Sequence, residues 1–236
     1  QDENVRADGV RIATKLVDSL HPQSAWAANL VGNDSSAGNR HDEAIEWFSK
    51  SVKLASDLDE VKFALPYYGR GNSHLELRQY DDALRDFAKA IEMDDAFSQP
   101  IFGMGTIHMV RKEFAQARPY FERAVEIDPA DAVHWTALGR AVAQIDGAEA
   151  ALPHFIRSHR LENENMAILA ALGKNLVDMK KYEEAQDHLE RVIKTDPTIV
   201  LARLALGQLY LGTDQFPSAV RELKMAVTLD KNSAVA

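Results

Sequence analysis

Residues 132–155 read AVHWTALGRAVAQIDGAEAALPHF, and this stretch decides the fold. It places Gly139, Ala151 and Phe155 at intervals of 12 and 4 residues. The same spacing recurs along the chain, with a 34-residue period after a first interval of 39. The repeated glycines are Gly32, Gly71, Gly105, Gly139, Gly173 and Gly207. A period of this length predicts stacked helical hairpins, in which small residues let two helices approach closely.

These residues resemble the tetratricopeptide repeat (TPR) family, a helix–turn–helix repeat of 34 residues. Trp135, Leu138 and Gly139 match its first helix, and Ala151 and Phe155 match its second. The resemblance implies an all-α solenoid of six TPR repeats that forms a right-handed superhelix. The predicted repeats are 25–58, 64–97, 98–131, 132–165, 166–199 and 200–233.

The two ends of the chain depart from complete repeats. We predict that residues 1–24 form a partial repeat or a capping helix, since residues 8–20 carry an apolar stripe at helical spacing. Residues 234–236 look like the start of a truncated further repeat, and no polar capping helix follows them. Ala219, Leu223, Ala226 and Val227 would then be exposed unless residues outside this chain cover them, which predicts weak self-association through the solenoid ends or fraying of the last repeat.

Two arginines interrupt apolar positions of the repeat. Arg70 precedes Gly71 where most repeats carry an apolar residue, and Arg203 occupies the position of Trp135. We expect both positions to be loosely packed or partly exposed.

Composition excludes several classes of protein. The 236 residues include 27 basic and 36 acidic side chains, a net charge of −9, and no cysteine. Disulfides, cysteine-ligated metals and thiol nucleophiles are therefore excluded, and the acidic balance disfavours nucleic acid as a partner. The longest apolar run is 7 residues, Met166 to Leu172, so we expect no membrane insertion. The compartment stays open: cytoplasmic or, if a leader was removed, exported.

No catalytic constellation is present in the sequence. The chain lacks the G-x-S-x-G, H-E-x-x-H, phosphate-loop and EF-hand patterns. His74 and His108 share a repeat position, but 34 residues place them on neighbouring hairpins rather than around one ion. We predict a non-enzyme with no catalytic residue, no cofactor and no metal.

The resemblance implies that a peptide binds in a concave groove lined by the first helix of each repeat. The residue after each repeated glycine is polar throughout, and Arg140 and Lys174 could bind a carboxylate. The predicted groove residues are Asn29, Asn33, Tyr68, Asn72, Phe102, Thr106, Thr136, Arg140, Lys174 and Gln208. Alternatively, the aromatic members pack within the scaffold and the polar members are only solvated.

Two hypotheses for function remain. The first is an interaction scaffold that holds a partner protein or peptide, possibly one bearing a carboxylate, in the groove. The second is a substrate-recruiting or oligomerising arm of a larger enzyme whose catalytic domain lies outside this chain.

Overall fold

The computed structural model describes residues 25–57 and 63–233. Over these residues it contains twelve α-helices and no β-strand. The all-α fold class predicted from the repeats is confirmed, whereas the right-handed superhelix stays a prediction. The predicted N-terminal helix around residues 8–20 and the segment 234–236 lie outside the described residues.

The helices alternate between the first and the second member of a repeat. In chain order they are α1 (Ala25–Ala37), α2 (His41–Asp57), α3 (Ala64–Glu76), α4 (Tyr80–Met93), α5 (Ser98–Val110), α6 (Phe114–Ile127), α7 (Ala132–Ile145), α8 (Ala148–Leu161), α9 (Met166–Asp178), α10 (Tyr182–Thr195), α11 (Val200–Gly212) and α12 (Phe216–Ser233). We call the odd-numbered helices first helices and the even-numbered ones second helices. Each repeated glycine is the eighth residue of a first helix.

The helices form two compact units, which we describe separately. The first unit ends at Lys112 and includes α1–α5, in which α3 packs beside both α1 and α5. The second unit begins at Glu113 and includes α6–α12, in which α9 packs beside both α7 and α11. First helices therefore lie side by side within each unit. The division of the chain into six repeats stays a prediction.

Two phenylalanine rings organise the first unit by packing against glycines of two successive first helices. A Cβ added to Gly32 would lie 2.8 Å from the Phe48 ring, and one added to Gly69 would lie 2.5 Å from it. Gly71 and Gly103 approach the Phe87 ring in the same way, each with 2.7 Å. Since side-chain carbons cannot pack this closely, both helices require glycine there. Gly69, Gly71 and Gly103 are thus packing features.

In the second unit, Phe155 packs against Gly139, where an added Cβ would lie 3.1 Å from the ring, and the last two hairpins use leucine for the same packing. Added Cβ atoms would lie 2.7 Å from Leu189 at Gly173 and 2.6 Å from Leu223 at Gly207. Two residues before the repeated glycine, where α3 and α5 have glycine, α11 has the buried Ala205. Leu189 thus holds the repeat position of Phe87, and Ala205 holds the position of Gly103.

The turns between the two helices of a hairpin share one backbone geometry. Asn39, Arg78, Lys180 and Asp214 have φ near +60°, the left-handed conformation. Around Lys180, the Lys181 N–H donates to the Leu176 carbonyl and the Lys180 N–H to the Val177 carbonyl, both at 2.9 Å. These bonds form a Schellman motif, which usually has glycine at the left-handed position. Only the α7–α8 turn, among those described, uses a glycine with positive φ, Gly147.

Arg203 is buried and hydrogen-bonded, so the expectation that this position is loosely packed or partly exposed was wrong. Its side chain retains only 8% of its accessible surface. Its Nε donates to the Pro197 carbonyl at 2.8 Å, the same bond that Trp135 Nε1 makes to the Pro129 carbonyl at 3.0 Å. Its Nη1 donates to the buried Glu222 at 2.8 Å, which neutralises the charge.

Arg70 is also ion-paired, although it is only partly buried. Its Nε and Nη2 donate to the two carboxylate oxygens of Asp86 at 2.8 and 2.7 Å, a bidentate pair. Its Nη1 donates to the Ser49 hydroxyl of α2 at 3.0 Å. Together with the Asp86 pair on α4, this bond links α3 to both α2 and α4. The departure from an apolar residue is therefore compensated by specific partners rather than by loose packing.

The last second helix, α12, buries two residues that were expected on its surface. Ala219 and Ala226 are 0% and 1% exposed, because they face α11 inside the hairpin, so that expectation was wrong. Leu223 is partly exposed and Val227 about half exposed. Self-association through the solenoid ends and fraying of the last repeat stay predictions.

The first prediction concerns the match between ring and glycine. We expect Gly103→Ala to destabilise the fold by about 1–3 kcal/mol, because its Cβ would overpack the Phe87 ring. Phe87→Leu should relieve that clash, since Leu189 and Ala205 form the equivalent combination in the second unit. The double variant should therefore be more stable than the sum of the two single changes predicts, as measured by chemical denaturation. Strictly additive effects would contradict this packing.

The second prediction concerns the left-handed turn at Lys180. Its side chain is exposed, so replacements there change the backbone preference with little change in packing. We expect Lys180→Gly to be about 1 kcal/mol more stable than Lys180→Ala, because alanine keeps the steric cost of the left-handed conformation. Thermal and denaturant unfolding of the two variants make the comparison. An alanine variant as stable as the glycine variant would refute the strain.

Candidate functional site

The first helices expose one row of residues in both units. The second residue of every first helix is exposed, and five of these six residues are apolar. They are Trp26, Leu65 and Gln99 in the first unit, and Val133, Ala167 and Leu201 in the second. We use the term first-helix face for the surface formed, within each unit, by the second, fifth and ninth residues of its first helices.

In the first unit, the predicted residues differ in burial. Asn33 is exposed, and Asn72, Phe102 and Thr106 are half-buried. Asn29 is buried, and its Oδ1 has no hydrogen-bond partner among the described residues. The Thr106 hydroxyl donates to the Phe102 carbonyl of its own helix at 3.0 Å. Among the predicted groove residues of this unit, Asn33 and Asn72 therefore carry the amides that a ligand can reach.

Tyr68 belongs partly to the scaffold. Its ring lies edge-on to Phe97 with centroids 5.0 Å apart, and 6.2 Å from the buried Phe87 ring. The aromatic side chain thus extends the hydrophobic cluster of the first unit while it remains half-buried. It can offer a ligand only part of its ring.

In the second unit, the ninth residues of the first helices are polar and accessible. Arg140 and Gln208 are exposed. Thr136, the predicted fifth residue of α7, is half-buried and hydrogen-bonded to the Ser158 hydroxyl at 2.7 Å. Lys174 Nζ lies 2.6 Å from both carboxylate oxygens of Asp178, one turn along α9. Its charge is therefore largely neutralised within the helix.

Arg140 is the accessible cation of this surface. No ion pair of its guanidinium occurs within residues 25–57 and 63–233. The apolar second residues Val133, Ala167 and Leu201 lie two turns earlier on the same helices. The first-helix face of the second unit therefore combines an apolar row with a polar row that holds one uncompensated positive charge.

Comparison with known proteins identifies the fold family. Two family models, both described as tetratricopeptide repeat, match residues 68–132 and 176–236, together more than half of the chain. The chain belongs to the tetratricopeptide repeat family. The resemblance inferred from the spacing of glycine, alanine and phenylalanine is confirmed. No curated protein sequence matches the chain.

Solved TPR structures share the fold at low sequence identity. A chain from the crystal structure of the APC/C hetero-tetramer Cut9–Hcn1 is 22% identical, with a TM-score of 0.81 over 96% of this protein, which spans 44% of that chain. YrrB, titled a TPR protein with an unusual peptide-binding site, is 21% identical with a TM-score of 0.58, and the match covers 77% of this protein and 91% of YrrB.

A third structure is matched over nearly its whole length. It is the C-terminal part of a TPR repeat-containing protein from Cytophaga hutchinsonii, 14% identical, with a TM-score of 0.65. The match covers 98% of this protein and 92% of that chain. All three likenesses establish the TPR fold.

TPR proteins are generally interaction scaffolds without catalytic activity. Among the described residues, no three His, Cys, Asp or Glu side chains converge as metal ligands. None of the helices described above is both long and apolar enough to cross a membrane.

Sequence analysis missed the electrostatics of two histidines on α8. Burial lowers the pKa of His154, and the charge of Arg118 lowers it further. Burial also lowers the pKa of His159, with additional repulsion from His188 and Arg191. The His159 ring on α8 and the His188 ring on α10 have centroids 6.3 Å apart and planes tilted by 57°. Only the paired placement of the two helices reveals this environment.

The third prediction follows from these lowered pKa values. An unfolded histidine takes up a proton near pH 6.5, before the folded protein does, so stability falls as the pH drops below about 6.5. We expect His159→Gln to reduce the loss of unfolding free energy between pH 7.5 and pH 5, as measured by urea denaturation. At pH 8 the imidazole is neutral in both states, which makes that pH the reference. Parallel pH profiles for variant and wild type would contradict the prediction.

Proposed function

We propose that this TPR protein is a scaffold that holds a partner peptide or protein on its first-helix face. The observation that carries the proposal is the exposed row of second residues, apolar in five of six first helices, beside an accessible polar row. Apolar side chains on a solvent-facing surface at regular intervals offer anchoring positions, and the polar row offers hydrogen bonds. Catalysis is not part of the proposal.

The second unit suggests a particular mode of binding. Packed helices lie about 8–10 Å apart, so α7 and α11 are separated by about 16–20 Å. An extended peptide advances about 3.3 Å per residue, so five or six residues cross all three first helices. Apolar side chains of such a segment would contact Val133, Ala167 and Leu201. A carboxylate on the same segment would pair with the Arg140 guanidinium.

The structural neighbours support an interaction role. Cut9–Hcn1 is a hetero-tetramer, and YrrB is described by its peptide-binding site. Those properties belong to those proteins, and they motivate the same class of function for this one. Selection from a peptide library on the immobilised protein would identify peptide sequences that bind it.

The fourth prediction concerns Arg140. For carboxylate-bearing peptides selected on the protein, we expect Arg140→Ala to weaken binding by about 1–3 kcal/mol, because a charge-assisted hydrogen bond is lost. Lys174→Ala should cost less, since Asp178 already occupies its ammonium group. Asp178→Asn should strengthen binding, because it releases Lys174 for the peptide. Calorimetric titration measures all three.

The matched control is Arg157→Ala, which removes an exposed arginine from the second helix α8. It should leave both affinity and melting temperature unchanged. Selected peptides could instead bind Arg140→Ala and Asp178→Asn as tightly as wild type but lose affinity for Arg157→Ala. That result would show that the binding surface lies on the second helices.

A further inference from the structure

One histidine of α8 departs from an apolar pattern that the other second helices share. His159 comes four residues after Phe155, the large residue that packs on Gly139. At this position the other five second helices carry only valine or isoleucine, namely Val52, Ile91, Val125, Ile193 and Val227. Departures from a pattern that the rest of a fold obeys are expected at functional sites.

Packing alone does not account for His159. The side chain is half-buried, and its Nδ1 is buried without a hydrogen-bond partner among the described residues. A buried polar atom that lacks a partner costs free energy. Burial also lowers the pKa of His159, and the charges of His188 and Arg191 lower it further. A valine or isoleucine would fill the same position without these costs.

Two further basic side chains lie beside His159. The His188 ring on α10 has its centroid 6.3 Å from that of the His159 ring. Arg191 is exposed and lies one helical turn after His188. Its guanidinium forms no ion pair with any residue in 25–57 and 63–233. We use the term α8–α10 cluster for His159, His188 and Arg191.

The acidic residues of α10 that lie nearest to the cluster do not pair with it. Glu184 and Asp187 lie one turn before His188 and Arg191, respectively. In the described part of the chain, neither carboxylate is within ion-pair distance of the cluster, and Glu184 lies 3.8 Å from Lys181 Nζ instead. The charge of the Arg191 guanidinium is therefore available to a ligand.

The neighbouring helices do not supply a negative charge either. α9 packs against both α8 and α10, and its only charged residues, Lys174 and Asp178, pair with each other along the helix. On α8 itself, Arg160 directly follows His159 and adds a second exposed guanidinium that has no ion pair among the described residues. These surroundings favour an anion as the ligand of the cluster.

We propose that the α8–α10 cluster binds a phosphate group. A tetrahedral oxyanion can accept N–H bonds from both imidazoles and from one edge of the guanidinium. Its two negative charges would remove the repulsion among the three basic groups, whereas a carboxylate offers one charge and two oxygens to three donors. The cluster lies on second helices, so this site is separate from the first-helix face and from Arg140.

A metal ion is a poorer match for the two imidazoles. A cation between them would be repelled by the guanidinium of Arg191. Among the described residues, no third metal ligand converges with the two histidines. A phosphate group, by contrast, uses the arginine as a binding partner.

The test is an NMR titration of the full chain with inorganic phosphate and with blocked phosphoserine, at constant ionic strength set by chloride. We expect the imidazole resonances of His159 and His188 to shift together and to saturate. Those of His154, whose ring stacks on Trp135 at the other side of α8, should not move. Tighter binding of phosphoserine would identify a phosphorylated partner as the source of the group, and tighter binding of inorganic phosphate a free ligand.

Variants assign the binding to the cluster. His159→Ile introduces the residue that α10 has at the equivalent position, so the variant should fold at least as stably as wild type. It should raise the dissociation constant for phosphate about 10-fold through the loss of one donor, and Arg191→Gln about 30-fold through the loss of a charge-assisted bond. The matched control is His154→Gln, which removes an imidazole from the same helix and should leave the affinity unchanged.

Several outcomes would overturn the proposal. They are resonances that do not shift, shifts that chloride reproduces, and an affinity for phosphate that survives His159→Ile in a folded variant. Zn²⁺ binding to the two histidines without any phosphate binding would assign the pair to a metal ion instead. Phosphate binding that is lost in Arg140→Ala would place the anion on the first-helix face, which would refute this site and leave the proposed scaffold function intact.

Discussion

The contact between a large second-helix side chain and the backbone of a first helix is the constraint on which the rest of the structure depends. Phe48 and Phe87 each contact glycines of two successive first helices, so one ring sets two distances at once. The distance within a hairpin and the distance to the next hairpin are thereby coupled. Side-by-side first helices, and the surface that their second and ninth residues form, follow from this coupling.

This constraint explains why the fold could be predicted from the sequence. The glycine at the eighth residue of each first helix recurs with a large apolar residue, phenylalanine or leucine, on the second helix, because the two helices approach closely there, and the spacing is therefore visible in one chain. Arg203 could not be understood in the same way. Its compensation comes from Glu222, 19 residues later, and from the Pro197 carbonyl, and this combination occurs at none of the other five equivalent positions. A substitution balanced by a specific pair leaves no periodic signal.

The candidate site was less predictable, because polarity alone does not determine exposure. Asn29 and Asn33 are both amides on the same helix, four residues apart, yet one is buried and the other exposed. Tyr68 lies on the predicted surface, but its ring also packs on Phe97 and extends the core of the first unit. By contrast, the pairing of Lys174 with Asp178 follows from their four-residue separation, which places the two side chains on one face of α9.

The first-helix face and the exposed surface of the last hairpin differ in how they arise. The second and ninth residues of the first helices are not buried by a neighbouring hairpin, so the surface that they form grows with the number of repeats and suits an extended ligand. The surface of the last hairpin, which includes Leu204 and Leu211, is formed by positions that are core in the preceding hairpin, as Ala170 and Val177 show. The same repeat position is thus core in one hairpin and surface in the next, because each hairpin contacts only its neighbours. Position in the repeat therefore determines packing only together with position in the stack, and Leu204 and Val220 are apolar where solvation alone would favour polar residues.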